Sequence, residues 1–193
     1  MEIGKNCQLG CVILASGLGI RFGGNKLLAP FRGAPLILHA LRATDGIFAK
    51  RVVVTRSEDV AKICREAGVN TLVHRLPFRS DTVRLGMEAL GEMDGCLFCP
   101  GDQPLLRQET VAALAGAFEQ EPDKIWRPCF GSRPGAPVLF PAWAFPELLT
   151  LPEGMGGGYV AKAHPQMVRL LPIEEERELW DVDTPEDLRR LEG

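Results

Sequence analysis

A glycine-rich loop with two cations is the part of the sequence whose residue types most directly suggest chemistry. The loop follows the apolar run 12–15, has glycines at positions 17, 19, 23 and 24, and contains Arg21 and Lys26. Glycine lets backbone N–H groups approach a phosphate closely, and a concave row of such donors favours anions. We therefore expect this loop to fold over a nucleotide and to bring both cations to its phosphates.

Two better-known phosphate loops do not fit this stretch. A dinucleotide-binding fingerprint reads G-x-G-x-x-G, but Gly17 and Gly19 are followed by Gly23, one position late. A Walker A loop places a lysine directly after its second glycine, and Asn25 holds that position after Gly24. The stretch is therefore a long glycine-rich loop that matches neither motif and contains Arg21 and Lys26 within its own sequence.

Carboxylates at the ends of predicted strands form the second group of chemical residues. Asp102 follows a strongly apolar run, which places it at the carboxyl end of a parallel strand, where open α/β sheets bind ligands. Magnesium takes one or two carboxylates and completes its shell with phosphate oxygens and water. Asp181 and Asp183 share one face of a predicted strand, because strand side chains alternate. Turn formation and helix capping are the alternative, purely structural roles for these carboxylates.

The elements that must position these residues alternate along the chain, which predicts an α/β fold around a mostly parallel sheet. Predicted strands cover residues 10–15, 51–55, 71–74, 95–99, 125–129, 138–140, 167–171 and 179–182. Predicted helices cover residues 36–44, 57–67, 80–90, 108–118 and 185–191. No linker or repeat divides the chain, so residues 1–193 are expected to form a single domain. The Pro- and Gly-rich segment 132–158 is expected to leave the sheet and to cover one edge of the active cleft.

Composition excludes several classes of function. With 46% hydrophobic and 24% charged residues the chain is typical of a globular protein, and its net charge of −3 gives no general affinity for nucleic acid or anionic membranes. No apolar stretch approaches the ~20 residues that span a bilayer. Glu2 and Lys5 make the opening a poor secretion signal, so a cytoplasmic protein with reduced cysteines is expected. Cys96 and Cys99 have metal-site spacing, but on a strand they point to opposite faces.

The glycine-rich loop and four later motifs resemble, in order and over nearly the whole chain, the nucleotidyltransferases that act on sugar phosphates and cofactors. Within that superfamily the sequence is most similar to the molybdenum cofactor cytidylyltransferases and their relatives. The matching segments are residues 14–26, 33–37, 101–104, 133–140 and 181–188. The resemblance implies a Rossmann-like, three-layer α/β/α sandwich. It also implies that a phosphorylated acceptor attacks a nucleoside triphosphate and that pyrophosphate leaves.

Charge and resemblance together suggest roles for individual residues. Lys26 is expected to stabilise charge at the α-phosphate, and Arg21 to hold the leaving pyrophosphate. Asp102 is expected to hold Mg²⁺, or Mn²⁺ in its place, with Asp183 as the second ligand and Asp181 as the other candidate. The nucleotide-binding residues are expected to be Leu14, Ala15, Ser16, Gly17, Gly19, Arg21, Lys26, Ser80 and Thr82. The acceptor-binding residues implied by the resemblance are Arg133, Gly135 and Pro137.

The resemblance also bears on the choice of base and acceptor. Ser16 holds the position where the cytidylyl branch has alanine and the guanylyl branch glycine, which favours CTP. We therefore expect a Mg²⁺-dependent CTP:molybdopterin cytidylyltransferase, with a molybdopterin-type cofactor as acceptor and a molybdenum hydroxylase apoenzyme as partner. No catalytic motif involves the three histidines, His39, His74 and His164.

Ala136 and Met155 depart from the family pattern on the acceptor side. These departures keep two alternatives open. The first is a molybdenum cofactor guanylyltransferase, or another NTP transferase that acts on a different phosphorylated acceptor. The second is a non-catalytic molybdenum cofactor carrier or maturation chaperone that keeps the nucleotide fold.

Overall fold

The computed structural model describes residues 7–192. Its strands are β1 (Leu9–Ala15), β2 (Pro30–Phe31), β3 (Ala34–Pro35), β4 (Lys50–Thr55), β5 (Asn70–Val73), β6 (Gly95–Pro100), β7 (Ile125–Phe130), β8 (Arg133–Pro134), β9 (Val138–Pro141) and β10 (Val168–Pro172). Its α-helices are α1 (Leu36–Ala43), α2 (Glu58–Glu66), α3 (Arg79–Leu90), α4 (Gln108–Gln120), α5 (Phe145–Leu149), α6 (Gly158–Ala163) and α7 (Pro185–Glu192). Short 3-10 turns cover Ile20–Phe22, Lys26–Leu28, Ala142–Ala144, Pro165–Met167 and Glu176–Leu179.

The main sheet has the strand order β10-β7-β9-β6-β1-β4-β5. Parallel pairing joins β1 to β4 and β6, β4 to β5, and β7 to β10. Strand β9 runs antiparallel between β6 and β7, and the short β8 pairs antiparallel with β7. The predicted α/β fold with a mostly parallel central sheet is therefore confirmed.

Strand β1 lies in the middle of this sheet and is buried on both faces. Cys11 and Ile13 belong to an apolar cluster with residues of α1, α2 and α4. Val12 belongs to a second cluster, on the other face, with residues of α3, α5 and α6. Because side chains alternate along a strand, each face needs its own helical cover. The result is the expected three-layer α/β/α sandwich.

Helix α3 approaches β1 closely at a glycine. A Cβ added to Gly86 would overlap Cγ1 of Val12 and lie 2.8 Å from its Cγ2. The missing side chain therefore sets the distance between the helix and the sheet. Since α3 begins at Arg79, this contact also fixes where the first turn of the helix meets the end of the sheet.

The predicted strand at 179–182 is wrong. The 3-10 turn at Glu176–Leu179 leads into an extended segment without strand pairing. The N–H of Val182 donates to the carbonyl oxygen of Asp102 at 2.9 Å, and the Val182 side chain packs with Phe31. The apolar residues that suggested a strand therefore anchor this segment to the loop after β6.

The expectation that segment 132–158 leaves the sheet is wrong for its first part, where β8 and β9 join the main sheet, whereas the strand predicted at 138–140 is confirmed. Strand β9 is inserted between β6 and β7. Its Leu139 packs in the cluster on one face of the sheet, and Phe140 packs in the cluster on the other. Apolar side chains on both faces require a central position, and that requirement outweighs the surrounding prolines.

Cys96 and Cys99 lie in β6 and pack in the apolar clusters on opposite faces of the sheet, as predicted. Burial raises the pKa of Cys99 to about 12. A thiol that stays protonated at neutral pH is a poor nucleophile and a poor metal ligand. The spacing of these two cysteines therefore serves packing.

None of the helices within residues 7–192 has the length and apolar character needed to cross a membrane. Glu2 and Lys5, which bear on the expected cytoplasmic location, lie outside the described residues.

The contact of Gly86 with Val12 gives a test of the fold. Gly86→Ala should lower the free energy of unfolding by about 1–3 kcal/mol, because the added methyl group overpacks the interface between α3 and β1. The matched control is Gly116→Ala in α4, where an added Cβ meets nothing within 4 Å. The control should raise stability by about 0.5–1 kcal/mol through helix propensity alone. Urea denaturation measures both, and equal effects of the two substitutions would contradict the contact.

Candidate active site

A cavity of about 660 Å³ opens at the carboxyl ends of β1, β4 and β6. Open α/β sheets bind their ligands at this edge. The cavity brings together most of the residues predicted to bind nucleotide and metal, namely Leu14, Ser16, Gly17, Gly19, Arg21, Lys26, Thr82, Asp102 and Asp183. Other predicted site residues do not line it, namely Ala15, Ser80, Arg133, Gly135 and Pro137.

The glycine-rich loop folds back on itself at Gly19. This residue has a φ of +60°, and a Cβ there would overlap the carbonyl oxygen of Gly24, so only glycine fits without strain. The carbonyl oxygen of Gly19 accepts the N–H groups of Phe22 and Gly23 at 2.9 and 3.1 Å. The Oδ1 of Asn25 then accepts the N–H of Leu27 at 3.2 Å and caps the turn that carries Lys26.

Opposite charges alternate along one wall of the cavity. The Nζ of Lys26 lies 2.6 Å from Oδ2 of Asp102 and 2.9 Å from Oδ1 of Asp183. A guanidinium nitrogen of Arg21 lies 2.7 Å from the other carboxylate oxygen of Asp183. The Lys26 residue is 8% exposed, whereas Arg21 is exposed. The structure therefore places a buried cation and a solvated cation on the same carboxylate.

Lys26 is held in its charged form. Burial disfavours the ammonium, but the carboxylates of Asp102 and Asp183 together outweigh burial and raise the pKa of Lys26 above its ordinary value. The hydrogen bond from Lys26 is the largest influence on Asp183 and lowers the pKa of that carboxyl. At neutral pH the site thus contains a protonated lysine against ionised Asp183, which suits a site for anionic phosphates.

The donor chemistry at this wall fits a divalent metal that arrives with a nucleotide. Asp102 and Asp183 both contact one ammonium nitrogen, at 2.6 and 2.9 Å, so the two carboxylates already share one cation. No group of three or more His, Cys, Asp or Glu side chains is arranged for a metal within residues 7–192. Magnesium is commonly bound by only one or two carboxylates, with phosphate oxygens and water as its other ligands.

Asp181 behaves differently from Asp183, although both line the cavity. Its side chain opens onto solvent, yet the protein atoms around its carboxyl disfavour the charge, and the Asp102 carboxylate repels it. Together these raise the pKa of Asp181 from 3.8 to about 6. Asp183 shares the Lys26 ammonium with Asp102, whereas the Asp102 carboxylate repels the Asp181 carboxyl. The choice between Asp181 and Asp183 as the second metal ligand stays a prediction.

The other end of the cavity is lined by neutral hydroxyl groups. Ser16 follows β1 directly, and Thr82 lies in the first turns of α3. Both hydroxyls contact His74 Nε2, at 2.9 Å from Ser16 Oγ and 3.3 Å from Thr82 Oγ1. This end of the cavity is therefore suited to an uncharged polar group such as a nucleobase.

Sequence reasoning missed three residues of the site. Arg56 and Arg79 line the cavity, and His74 joins two of the predicted nucleotide-binding residues. Arg56 directly follows β4 and His74 directly follows β5. The rule that singled out Asp102, a polar residue at the carboxyl end of a parallel strand, also singles out both of these positions.

None of the residues predicted to bind the acceptor lines the cavity, although Gly135 and Pro137 flank a residue that does. Arg133 is exposed and forms an ion pair with Glu176. The carbonyl oxygen of Gly135 accepts a hydrogen bond from Arg127 at 2.9 Å, and Pro137 is buried. From this segment it is Ala136 that lines the cavity.

Residues 11–168 match the family model of the MobA-like NTP transferase domain. The chain belongs to this family. It is a nucleotidyltransferase, and its cavity holds the glycine-rich loop, the cations and the carboxylates that such a reaction needs.

Two relatives of this transferase carry the same name. A probable molybdenum cofactor guanylyltransferase of Thermococcus sibiricus is 25% identical over 191 residues, 94% of this chain and 96% of that protein. A probable molybdenum cofactor guanylyltransferase of Pyrococcus horikoshii is 35% identical over 112 residues, 58% of this chain and 57% of that protein.

Solved structures share the fold of the transferase. The structure of Rv0371c from Mycobacterium tuberculosis H37Rv superposes with a TM-score of 0.83 at 24% identity, covering 96% of this chain and 98% of that one. A complex of Rv0371c with manganese superposes with a TM-score of 0.75 at 23% identity, covering 95% and 97% of the two chains.

The raised pKa of Asp181 predicts a pH-dependent stability. Because the folded chain holds this proton up to about pH 6 while the ordinary pKa is 3.8, stability should fall as the pH rises through that window. Asp181→Asn should therefore be more stable than the wild type above pH 6, by at most about 1 kcal/mol since the side chain is solvated. The difference should shrink to nothing as the pH falls below about 4. Urea denaturation across this pH range measures it.

Asp187→Asn is the matched control with the opposite sign. The Asp187 carboxylate accepts the Thr184 hydroxyl and backbone N–H, both at 2.8 Å, and these hydrogen bonds lower its pKa. This substitution should reduce stability at neutral pH, with the loss disappearing as the pH falls below the ordinary pKa. A pH-independent effect of Asp181→Asn would refute the assignment.

Proposed function

We propose that the chain is a molybdenum cofactor guanylyltransferase, which transfers GMP from GTP to the phosphate of a molybdopterin-type cofactor. The observation that carries this proposal is the likeness to a relative of that name over 94% of the chain. Ser16 favours CTP on the sequence alone, but both relatives are named guanylyltransferases. The guanylyl alternative therefore has the stronger support.

Charge is the main obstacle to this reaction, because both reactants are anions. Two unit charges 4 Å apart interact by about 4 kcal/mol at an effective dielectric of 20. The cavity carries cations on two of its sides, and their charge offsets the repulsion between the two anions. Arg21 and Lys26 come from the glycine-rich loop, whereas Arg79 lines the cavity at the start of α3.

The proposed step is an attack by an acceptor phosphate oxygen on the α-phosphorus of GTP. One P–O bond forms there, the bond to the bridging oxygen of the β-phosphate breaks, and pyrophosphate leaves with the electron pair. Lys26 stabilises the negative charge that develops on the α-phosphate, and Arg21 holds the leaving pyrophosphate. No general base is required, since an ionised phosphate is already a nucleophile.

Asp102 and Asp183 are the residues proposed to hold Mg²⁺, with Mn²⁺ as a substitute. When bound, such an ion neutralises phosphate charge and acts as a Lewis acid. The complex of the similar Rv0371c with manganese supports a divalent ion in this fold. Lys26, which bridges the same two carboxylates, is then free to turn its ammonium toward the phosphates.

Pyrophosphate release with each of four nucleoside triphosphates, Mg²⁺ and molybdopterin tests the proposal. GTP should give the highest kcat/KM. Preferred turnover of CTP would instead support the cytidylyl prediction, and tight cofactor binding without pyrophosphate release would support the carrier alternative. A molybdenum hydroxylase apoenzyme as recipient, the cytoplasm as compartment and a single domain stay predictions.

Loss of the Lys26 charge should be costly for the chemical step. Lys26→Met should lower kcat by roughly 10²–10³, the scale for removing one preorganised charge-stabilising donor. Lys62→Met is the matched control, because Lys62 is an exposed residue of α2 and should leave turnover unchanged. Wild-type kcat in Lys26→Met, with its fold verified by circular dichroism, would remove Lys26 from the mechanism.

A further inference from the structure

A buried histidine joins the two hydroxyls at the neutral end of the cavity. His74 directly follows β5, is 9% exposed, and its Nε2 lies 2.9 Å from Ser16 Oγ and 3.3 Å from Thr82 Oγ1. Ser16 and Thr82 come from different elements, the loop after β1 and helix α3. The ring therefore fixes the position of one hydroxyl relative to the other.

The hydrogen bonds of the ring determine which nitrogen carries the proton. The backbone N–H of Leu76 donates to Nδ1 of His74 at 3.2 Å, so Nδ1 is unprotonated. Burial lowers the pKa of His74, and the nearby Arg56 lowers it further, which keeps the ring neutral at pH 7. A neutral ring without a proton on Nδ1 carries it on Nε2, and Nε2–H is then a donor toward the hydroxyls.

This tautomer fixes the polarity of both hydroxyls. Ser16 Oγ accepts from His74 and donates its own proton to the carbonyl oxygen of Val54 at 3.1 Å, so it has only a lone pair left to offer. Thr82 Oγ1 faces a donor on the ring, so its proton is free to point into the cavity. The wall thus presents an acceptor at Ser16 and a donor at Thr82.

We propose that His74 is a positioning residue that sets nucleobase specificity by locking the hydroxyls of Ser16 and Thr82 as acceptor and donor. The proposal rests on the proposed function, since it assumes a nucleoside triphosphate in the cavity. A base that places an N–H at Ser16 and an acceptor at Thr82 is bound. A base with the reverse pattern would place an acceptor against the acceptor of Ser16 and a donor against the donor of Thr82, and is rejected.

The test compares His74→Phe and His74→Gln by kcat/KM for GTP, CTP, ATP and UTP and by calorimetric Kd for each nucleotide without acceptor. His74→Phe keeps a ring but has no donor, and should lower the ratio between the best and worst nucleotides by about 10- to 100-fold, mainly through KM. His74→Gln keeps an amide N–H at the same reach and should restore most of the ratio. His39→Phe is the matched control. His39 lies on α1, its Nε2 contacts the carbonyl oxygen of Phe31, and it does not line the cavity, so its loss should leave the ratio unchanged.

Two further measurements separate positioning from a general structural role. In a Ser16→Ala/Thr82→Val background, His74→Phe should have no further effect on the ratio, because the hydroxyls through which it acts are gone. Long-range ¹⁵N–¹H NMR of the wild type should show the proton on Nε2 of His74, which keeps the proposal testable if His74→Phe does not fold.

The outcomes distinguish this proposal from the proposed function. Preference for a nucleotide other than GTP contradicts guanylyl transfer but leaves His74 supported if its variants change the ratio. An unchanged ratio in folded His74→Phe, or a proton on Nδ1, overturns the role of His74 even when GTP is the substrate. Failure of every nucleotide to bind overturns both.

Discussion

The ammonium of Lys26 lies between the carboxylates of Asp102 and Asp183, and this arrangement determines much of the structure around the cavity. Two carboxylates this close would repel each other by several kcal/mol without a cation between them. The tight turn at Gly19 brings the lysine into place, and the hydrogen bond from Val182 to Asp102 brings in the segment with Asp183. Three separate irregular segments, the glycine-rich loop, the loop after β6 and the segment before α7, therefore each hold one member of the charge cluster.

The sequence contains enough local information to find the charged half of the site. The glycines around Arg21 and Lys26 indicate a phosphate loop by composition, and Asp102 follows an apolar run whose type and end are easily recognised. Arg21, Lys26 and Asp102 do line the cavity, together with Gly17, Gly19 and Asp183. The reason is that each signal depends on neighbours within a few positions, where the pattern of residue types and the backbone conformation are directly linked.

The neutral half of the site depends on contacts that no local pattern contains. His74 meets Ser16 across 58 positions of the sequence, and their meeting requires that β5 lies beyond β4 on the same side of β1. The segment with the predicted acceptor residues also depends on distant contacts. Arg133 lies in a short strand paired with β7, and a run of residues around several prolines gives no sign of which strands it joins. The role of these residues toward an acceptor stays a prediction.

The extended segment after Leu179 separates the scaffold of the main sheet from one of its charges. The strands of that sheet end at Pro172, yet Lys26 receives its second carboxylate from Asp183, 157 positions further along the chain. A chain shortened to Pro172 would therefore keep every strand of the main sheet and lose a carboxylate of the cavity.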